Sequence, residues 1–367
     1  MIVKSITLDF YRNYLHLEAK FHPRVNVIFG ENAQGKTNLL EAIAYLSSAA
    51  SHRARYDREL IQFGVDHAFI KGEITGRDRD FTLEARLNRG ARRQLTSNGV
   101  KLKSAAELSG ILNTVLFCPE DLYLIREGAA ARRRYLDDCI CQLRPRYAAA
   151  LAEYNRLKEH KLRILKDSEE HPSLLDTLDD FSLRMAQTGA ILIHYRAHFV
   201  KRLREVAPEI HRECSGGREQ LDLRYETVSS ITDPEASPKE LLPQLLAHQE
   251  SHRRAEIETR SCLSGPHKDD LVVDINGSLA KTYASQGQTR TAALALKLAA
   301  RDIFCQDTGE WPVLLLDDVL SELDSRRQEF VLNRITSGQV FITCCEEEKL
   351  AQLKEGKAFH IKEGRLI

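Results

Sequence analysis

The spacing of apolar and polar residues changes several times along this 367-residue chain. Between about residues 69 and 103 apolar side chains alternate with polar ones, and Asn98-Gly99 is typical of a two-residue hairpin turn. The same alternation predicts a half-buried N-terminal strand whose apolar face is formed by Ile2, Ile6, Leu8 and Phe10. Together these stretches predict an antiparallel β layer.

The middle of the chain is typical of helices. Between about residues 128 and 260 apolar residues recur at spacings of three and four, with one alternating stretch at residues 221–225. We expect prolines to divide this region into helices of roughly 20 to 35 residues. They are Pro145, Pro172, Pro208, Pro234, Pro238 and Pro243. The pattern predicts an inserted helical lobe at residues 121–260, interrupting an α/β lobe of residues 1–120 and 261–367.

Three short apolar runs, at residues 25–29, 312–316 and 340–343, predict buried parallel strands. The first run leads directly into a G-x-x-x-x-G-K-T sequence, which is followed by a helical pattern. The motif consists of Gly30, Glu31, Asn32, Ala33, Gln34, Gly35, Lys36 and Thr37. A strand, a glycine loop and a helix in this order predict a P-loop in an α/β fold.

The residue types of this motif suit the binding of nucleotide phosphates. Its glycines let backbone N–H groups converge, and the helix N-terminus adds positive charge at the same place. Lys36 would reach the outer phosphates of ATP, and Thr37 would ligate Mg²⁺. The alternative interpretation is a glycine-rich turn before a capped helix.

Two carboxylates follow the second apolar run. Asp317 and Asp318 would lie at the carboxyl end of a buried strand, where ligands bind in open α/β sheets. This position predicts that Asp317 holds the Mg²⁺ that Thr37 touches and that Asp318 orients the attacking water. Because Thr37 and Asp317 are far apart in sequence, the helical region between them must be an insertion that leaves the nucleotide fold and returns.

Two other stretches near the P-loop have alternative interpretations. The aromatic and arginine side chains of Tyr11-Arg12-Asn13-Tyr14 could stack on an adenine, or they could be ordinary strand-edge residues. Arg53 and Arg55, in a predicted loop, could face either the nucleotide or water.

Ser285-Gln286-Gly287-Gln288 begins an apolar helix late in the chain. Ser285 and Gln288 have the spacing of a capping box, which predicts a helix N-terminus. A helix N-terminus rich in small residues is also an anion site. The two interpretations are compatible.

The chain has 53 basic and 53 acidic residues, so any binding to a polyanion must come from local patches. Residues 86–103 carry six basic residues and no acidic one, namely Arg86, Arg89, Arg92, Arg93, Lys101 and Lys103. This patch could contact phosphates, or it could be a solvated face. A milder basic surface is predicted between residues 184 and 218.

Composition also indicates the compartment. The eight cysteines form no C-x-x-C pair, and the first residues lack the apolar core of a signal peptide. No apolar run approaches the roughly 18 residues that suggest a membrane span. We therefore expect a reduced cytoplasmic setting and no membrane partner.

Several separated strings carry a resemblance to a known family. They are residues 11–14 (YRNY), 30–37 (the P-loop), 117–122 (FCPEDL), 132–137 (RRRYLD), 264–270 (SGPHKDD), 283–288 (YASQGQ) and 316–324 (LDDVLSELD). With these strings in this order, the whole chain resembles the ATP-binding-cassette heads of the SMC and Rad50 superfamily. Within that superfamily it is similar to the RecF family of bacterial recombination mediators.

The resemblance implies the fold and how it works. It implies an ABC-type ATPase head, with a mixed sheet and an antiparallel β layer, that acts as a weak, DNA-stimulated ATPase switch. A homodimer would close around two ATP molecules, with residues 285–288 of one subunit as the signature that meets the phosphates in the other's P-loop. Asp324 would belong to the D-loop. Of the two stretches with alternative interpretations, Arg12 and Arg53 are the candidates for contacting the nucleotide.

The resemblance also implies partners. The DNA partner would be single- and double-stranded DNA at gaps and junctions, and the processes would be DNA repair, replication, recombination and the SOS response. The protein partners would be RecR and RecO, with which the protein would help to load RecA. The location would be cytoplasmic and nucleoid-associated.

The chain departs from general cassette patterns at three places. Its second carboxylate is Asp318 where transporter cassettes have glutamate, which is consistent with slow hydrolysis. The switch histidine expected after residues 340–343 is absent, since the sequence reads Thr343-Cys344-Cys345. No clear Q-loop glutamine is present, and Glu120 or Asp121 could occupy that position.

Two other functional classes compete with a DNA-binding switch. A transporter cassette would need a surface for membrane helices and usually a switch histidine. A P-loop kinase for a small metabolite would leave residues 285–288 and Asp324 without a task. The sequence favours the ATP-gated DNA-binding dimer over both.

Overall fold

The computed structural model describes residues 1–345 and 356–367. Two compact units divide the chain, one formed by Met1–Tyr123 with Ala293–Ile367 and the other by Leu124–Ala292. The boundary late in the chain falls within a single helix. Each unit is described by itself.

Most of the strands belong to the first unit and most of the helices to the second. The strands are β1 (Ile2–Tyr11), β2 (Tyr14–Lys20), β3 (Val25–Phe29), β4 (His67–Thr75), β5 (Asp80–Asn88), β6 (Gln94–Ser97), β7 (Val100–Lys101), β8 (Thr114–Phe117), β9 (Leu221–Glu226), β10 (Asp270–Ile275), β11 (Ser278–Leu279), β12 (Val313–Leu316), β13 (Val340–Cys344), β14 (Lys357–Lys362) and β15 (Arg365–Leu366). The α-helices are α1 (Lys36–Ser48), α2 (Ala129–Leu143), α3 (Pro145–Asp167), α4 (Leu178–Ser215), α5 (Pro238–Thr259), α6 (Ala280–Tyr283), α7 (Gln286–Thr308) and α8 (Ser325–Arg334).

The first unit contains a mainly parallel sheet in the order β15-β14-β3-β13-β12-β8. The strands from β14 to β8 pair in parallel, and β15 is antiparallel. All four residues of β12 and all five of β13 are buried, as the apolar runs predicted. Since β3 and β12 both adjoin β13, the segments that follow these three strands meet at one edge of the sheet.

The predicted antiparallel layer is confirmed, in the order β2-β1-β4-β5-β6-β7. The predicted face of β1 is partly wrong. Its buried residues are Val3, Ile6, Leu8 and Tyr11, not Ile2 or Phe10. A register irregularity between Val3 and Ser5, and a positive φ of 52° at Phe10, each change which side of the sheet the side chains face. The apolar face of this layer shares one core with α1 and the parallel sheet.

The second unit contains α2 to α6, the start of α7 and a small antiparallel sheet, β11-β10-β9. Pro145 and Pro238 begin helices, as the first helical position permits. Pro208 and Pro243 do not divide helices as predicted, because both lie inside them, and α4 runs for 38 residues. Leu203, Ala207 and Ile210 are buried around Pro208, so packing offsets the lost backbone hydrogen bond.

The pairing of β9 with β10 explains where the second unit ends. Residues 261–292 were predicted to belong to the ATPase lobe, but β10 pairs along its whole length with β9. The segment therefore packs with the helices, and the first unit resumes at Ala293. Among the described residues, no helix has the length and apolar character needed to cross a bilayer.

A buried polar network is centred on Arg196 of α4. Its guanidinium donates to Asp137, to Asp269 and to the Pro266 carbonyl. Tyr225 and Thr227 donate to Asp269 as well. Burial raises the pKa of Asp269, so its charge depends on these donors. The network joins α2, α4, β9 and the segment before β10.

We expect Arg196→Met to destabilise the second unit by about 3–5 kcal/mol, because it leaves buried carboxylates without their cation. Urea unfolding followed by circular dichroism would measure the loss. Arg184→Met is the control on the same helix, since Arg184 and its partner Glu153 are both partly exposed. Its effect should stay within about 1 kcal/mol. Equal effects of the two substitutions would contradict a structural role for the network.

Candidate nucleotide-binding site

The loop between β3 and α1 has the backbone that its glycines permit. Gly30 and Gly35 have φ values of 144° and 120°, which side-chain-bearing residues rarely adopt. A Cβ on Gly30 would lie 2.3 Å from the Ile361 carbonyl oxygen. These two positions therefore require glycine, and the strand, loop and helix follow in the predicted order.

Two residues of the 11–14 stretch, Asn13 and Tyr14, hold this loop by hydrogen bonds to its carbonyls. The Tyr14 hydroxyl donates to the Gly35 carbonyl at 2.8 Å, and the Asn13 side chain donates to the Gln34 carbonyl at 2.8 Å. Tyr11 and Tyr14 are fully buried, so neither ring is available to stack on an adenine. The stacking interpretation is wrong for both tyrosines. Sequence reasoning missed the supporting role of Asn13 and Tyr14, because their partner atoms belong to the backbone of a separate loop.

Arg12 lies beside the same loop but is paired within the chain. Its Nε and Nη2 donate to the Glu41 carboxylate of α1 at 2.9 and 2.8 Å, and Nη1 donates to the Glu59 carbonyl. Burial opposes the Glu41 charge, but hydrogen bonds from Arg12 and Ser51 outweigh it and lower the pKa of Glu41. The observed contacts of Arg12 thus fix α1 in place.

The Lys36 ammonium lies inside the loop. It donates to the Gly30 carbonyl at 2.7 Å and to the Glu31 carbonyl at 2.9 Å. The residue is 6% exposed, and its nitrogen is 4.0 Å from the Cys345 sulfur. A phosphate in the loop would replace backbone carbonyls with charged oxygens as the acceptors for this group.

Thr37 and Asp317 come together as predicted. The Thr37 hydroxyl donates to Asp317 Oδ1 at 2.9 Å, although 280 positions separate the two residues. Thr343, at the position where a switch histidine was expected, donates to the same oxygen at 2.8 Å. Its hydroxyl also accepts the Asp318 backbone N–H at 2.8 Å. Thr343 therefore positions both carboxylate residues, which the sequence did not indicate.

The backbone of Asp318 is in the left-handed region, with φ at 53°. A residue other than glycine in this region commonly marks a functional site. The Ser321 hydroxyl donates to its carbonyl at 2.6 Å. This turn takes Asp318 away from the direction of β12, so the two adjacent carboxylates have different surroundings.

The hydroxyl of Thr37 and the carboxylate of Asp317 are oxygen ligands of the kind that Mg²⁺ prefers. Burial raises the pKa of Asp317 in spite of its hydrogen bonds to Thr343 and Thr37. A cation at this position would offset that penalty on the charged form. The two residues therefore fit a Mg²⁺ site completed by phosphate oxygens.

The loop after α1 contributes two side chains near this edge. Arg53 is exposed and donates to the Asn38 side chain in the first turn of α1 at 3.2 Å. Both ring nitrogens of His52 are buried without a hydrogen-bond partner among the described residues. Burial lowers the pKa of His52. The sequence interpretation considered the neighbouring Arg53 and Arg55 but assigned no role to this histidine.

The two Q-loop candidates differ in what they contact. Asp121 accepts the Cys118 backbone N–H at 3.0 Å and forms an ion pair with Lys297 at 2.8 Å. It is thereby held within the turn after β8. Glu120 is exposed and remains the better candidate for that position.

The predicted signature lies at the start of α7, and its capping box is confirmed. Gln288 N donates to Ser285 Oγ at 3.2 Å, and Ser285 N donates to Gln288 Oε1 at 2.8 Å. Ser285 and Gln286 are exposed, so this helix N-terminus is open to a ligand from outside. Asp324, the predicted D-loop residue, caps α8 by accepting the Arg327 N–H at 3.0 Å.

The structure separates the basic residues of the β5–β7 hairpins into two groups. Arg89 donates to the Val65 carbonyl, and Arg93 donates to the Ala49 carbonyl and to Asp57. These two guanidinium groups stabilise the sheet and its loops. The other four, Arg86, Arg92, Lys101 and Lys103, are exposed, as is Arg89.

Known proteins are similar to this chain over nearly its whole length. The family model described as RecF/RecN/SMC N terminal domain matches residues 2–365. A DNA replication and repair protein RecF from Agathobacter rectalis is 39% identical over 371 residues, covering 100% of this chain and 99% of its own length. The same-named protein of Clostridium perfringens is 38% identical, with the same coverage of each chain. The chain belongs to the RecF family.

Solved structures support the assignment. The recombination mediator protein RecF, solved with ATP in the RecFOR pathway, is 34% identical to this RecF-family chain. It has a TM-score of 0.91 and covers 100% of this chain and 97% of its own. An Smc head domain from Pyrococcus furiosus, at 15% identity and a TM-score of 0.57, shares the fold. The predicted ABC-type ATPase head is thus confirmed.

We expect Thr343→Val to raise the Mg²⁺ concentration needed for ATP turnover several-fold. The change keeps the side-chain shape but removes the donor to Asp317 and the acceptor for the Asp318 N–H. Leaving these buried groups without a hydrogen-bond partner costs about 1–3 kcal/mol. A Mg²⁺ titration of ATP turnover would measure it. Thr343→Ser keeps the hydroxyl and should restore the wild-type curve. If valine and serine behave alike, Thr343 does not position the carboxylates.

Proposed function

We propose that this RecF-family chain is an ATP-dependent DNA-binding protein of recombinational and replication-gap repair. ATP closes a homodimer on DNA, and slow, DNA-stimulated hydrolysis resets it. The observation that carries the proposal is the Thr37–Asp317 contact at 2.9 Å, which assembles a nucleotide and metal site from two distant segments. The ATP-bound RecF structure to which the fold is similar adds support.

The nucleotide site assigns a role to each P-loop residue. Residues 30–35 supply backbone N–H groups around the phosphates, and Lys36 contacts the outer phosphates. Thr37 and Asp317 hold Mg²⁺, which when bound neutralises phosphate charge. Asp318 orients the water that attacks the γ-phosphate. Arg53, which is exposed beside α1, approaches the nucleotide, and Arg12 acts through its contacts with Glu41 of the same helix. Thr343 keeps the two aspartates in position.

The signature supplies the second half of the site in a partner subunit. Ser285 and Gln286 are exposed at the start of a 23-residue helix, whose N-terminus favours anions. In the dimer, residues 285–288 of one subunit meet the γ-phosphate in the P-loop of the other, and Asp324 lies in the D-loop. Closure therefore requires ATP in the P-loop.

The proposed setting follows the named relatives. The relatives at 38–39% identity are named DNA replication and repair proteins, and the two RecF structures at 34% identity are described as part of the RecFOR pathway. We infer gapped or junction DNA as the substrate and RecR as a partner, with RecO and RecA acting in the same process. The location is cytoplasmic, at the nucleoid.

The dimer model predicts that Ser285→Arg abolishes ATP-induced dimerisation while each subunit still binds ATP. A bulky cation at residue 285 prevents the helix N-terminus and small side chain from completing the site. ATP-stimulated DNA binding should fall with dimerisation, since the two equilibria are linked. Sedimentation with and without ATP measures closure, and a thermal melt measures folding.

Ser285→Ala is the matched control for the lost helix cap. It should reduce stability by about 0.5–2 kcal/mol and leave the response to ATP intact. A folded Ser285→Arg protein that still dimerises with ATP would contradict the proposed dimer mechanism.

The exposed hairpin residues give a separate prediction for DNA. Reversing Arg92, Lys101 and Lys103 to Glu should weaken gapped-DNA binding and flatten its salt dependence, by up to about 0.9 in slope per lost phosphate contact. Fluorescence anisotropy at several salt concentrations measures both quantities. The control reverses three exposed basic residues elsewhere, Arg156, Lys239 and Arg254. An unchanged slope would place the DNA on another surface, with residues 184–218 next to be tested.

A further inference from the structure

A cavity of about 370 Å³ opens in the second unit, and no P-loop residue lines it. Residues of α3, the first turns of α4 and the second half of α5 line it. Its volume lies at the lower end of the range for ligand sites in proteins. None of the motifs described above contributes a side chain to it.

Part of the lining is apolar and open to solvent. Leu178, Leu183 and Leu246 line the cavity, and Leu183 is 41% exposed. Ala247 also lines it, and its small side chain leaves the space unfilled. An apolar group from outside could therefore be buried here without any rearrangement of the helices.

The cations of the lining are already paired. Lys161 forms a buried ion pair with Glu256 at 2.6 Å, and both side chains are at most 3% exposed. Glu256 also accepts the Leu263 backbone N–H at 2.7 Å. Arg253 forms an ion pair with Asp179 at the edge of the cavity. No lining cation of the described residues is left to bind an anion.

The acceptors of the lining are not all used. Gln249 is 4% exposed, and its Oε1 has no hydrogen-bond donor among the described residues. A buried polar atom without a partner is uncommon, because its desolvation is then uncompensated. The adjacent Glu250 carboxylate is exposed and forms no ion pair within the described part of the chain. The cavity therefore presents one buried acceptor without a donor, with an exposed carboxylate next to it in sequence.

We propose that this cavity is the docking site for a segment of a partner protein. The segment inserts one anchor side chain that is apolar along its length and ends in an N–H donor, as tryptophan and arginine do. Such residues dominate the centres of protein interfaces. The apolar body packs on the leucines, and the N–H group donates to Gln249 Oε1 or Glu250. A phosphate backbone does not fit, because it would face only acceptors and paired cations.

Filling the cavity tests the proposal. Ala247 is exposed at the edge, so Ala247→Trp occupies the space with little effect on folding. Arg254→Trp is the matched control, because it adds the same ring to α5 outside the cavity at a side chain that is 92% exposed. The first probe is N-acetyl-tryptophanamide. Its binding to the full chain is detected by saturation-transfer NMR. Wild type and Arg254→Trp should bind it, and Ala247→Trp should not.

The second arm uses purified RecR and RecO, and only this choice of proteins rests on the proposed function. At least one should bind Ala247→Trp at least tenfold more weakly than wild type, with Arg254→Trp unchanged. Gapped-DNA affinity should be the same for all three proteins. If neither RecR nor RecO binds wild type, those partners fail and the probe alone decides the cavity's role.

Four results would overturn the assignment. One is equal binding of the probe by wild type and Ala247→Trp. Another is a cavity that takes the probe while every protein that binds wild type binds Ala247→Trp with unchanged affinity. The third is a loss of DNA affinity on filling, which would make this a nucleic-acid surface. Association of the chain with itself that is lost in Ala247→Trp would likewise replace the partner with a second copy.

Discussion

Oδ1 of Asp317 is the atom on which the nucleotide site depends. It accepts hydrogen bonds from Thr37 at the start of α1 and from Thr343 on β13, at 2.9 and 2.8 Å. Three segments that are far apart in sequence are thereby fixed at one point on the edge of the parallel sheet. Because burial raises the pKa of this carboxyl, the same contacts also make its charged form tolerable. The two hydrogen bonds to Asp317 Oδ1 therefore both join the segments and stabilise the carboxylate charge.

The second unit uses the same kind of contact for a different purpose. The buried Arg196 holds Asp137 and Asp269 together from different elements, as Asp317 holds threonines together. In both places a buried charge with several partners specifies how non-adjacent segments meet. The RRRYLD and SGPHKDD strings, which carried part of the family resemblance, supply Asp137 and Asp269. Their role in this chain is visible as packing of the helical unit.

The sequence predicted what local rules determine. The P-loop, the buried strand before Asp317, the buried strand that contains Thr343, and the Ser285 capping box all follow from short patterns with a fixed geometry. It did not predict the roles of Tyr14 or Thr343, since their partners lie elsewhere in the chain. Pro208 was misread for a related reason. The local rule says that proline breaks a helix, but the buried face of α4 outweighs it.

Arg89 and Arg93 show a further limit of sequence reasoning. A run of basic residues states how much charge a segment carries, but not which guanidinium groups are already hydrogen-bonded within the protein. Arg89 and Arg93 both donate to backbone carbonyls, although Arg89, like Arg92, is exposed. The usable basic surface is therefore smaller than the composition indicated.

The contacts of Lys36 have a consequence for what its replacement would change. Its ammonium is nearly buried and donates to the Gly30 and Glu31 carbonyls, six and five positions before it in the chain. The charge at the start of α1 therefore holds the first residues of the loop. A neutral side chain at this position would loosen the loop itself, as well as remove a contact to phosphate.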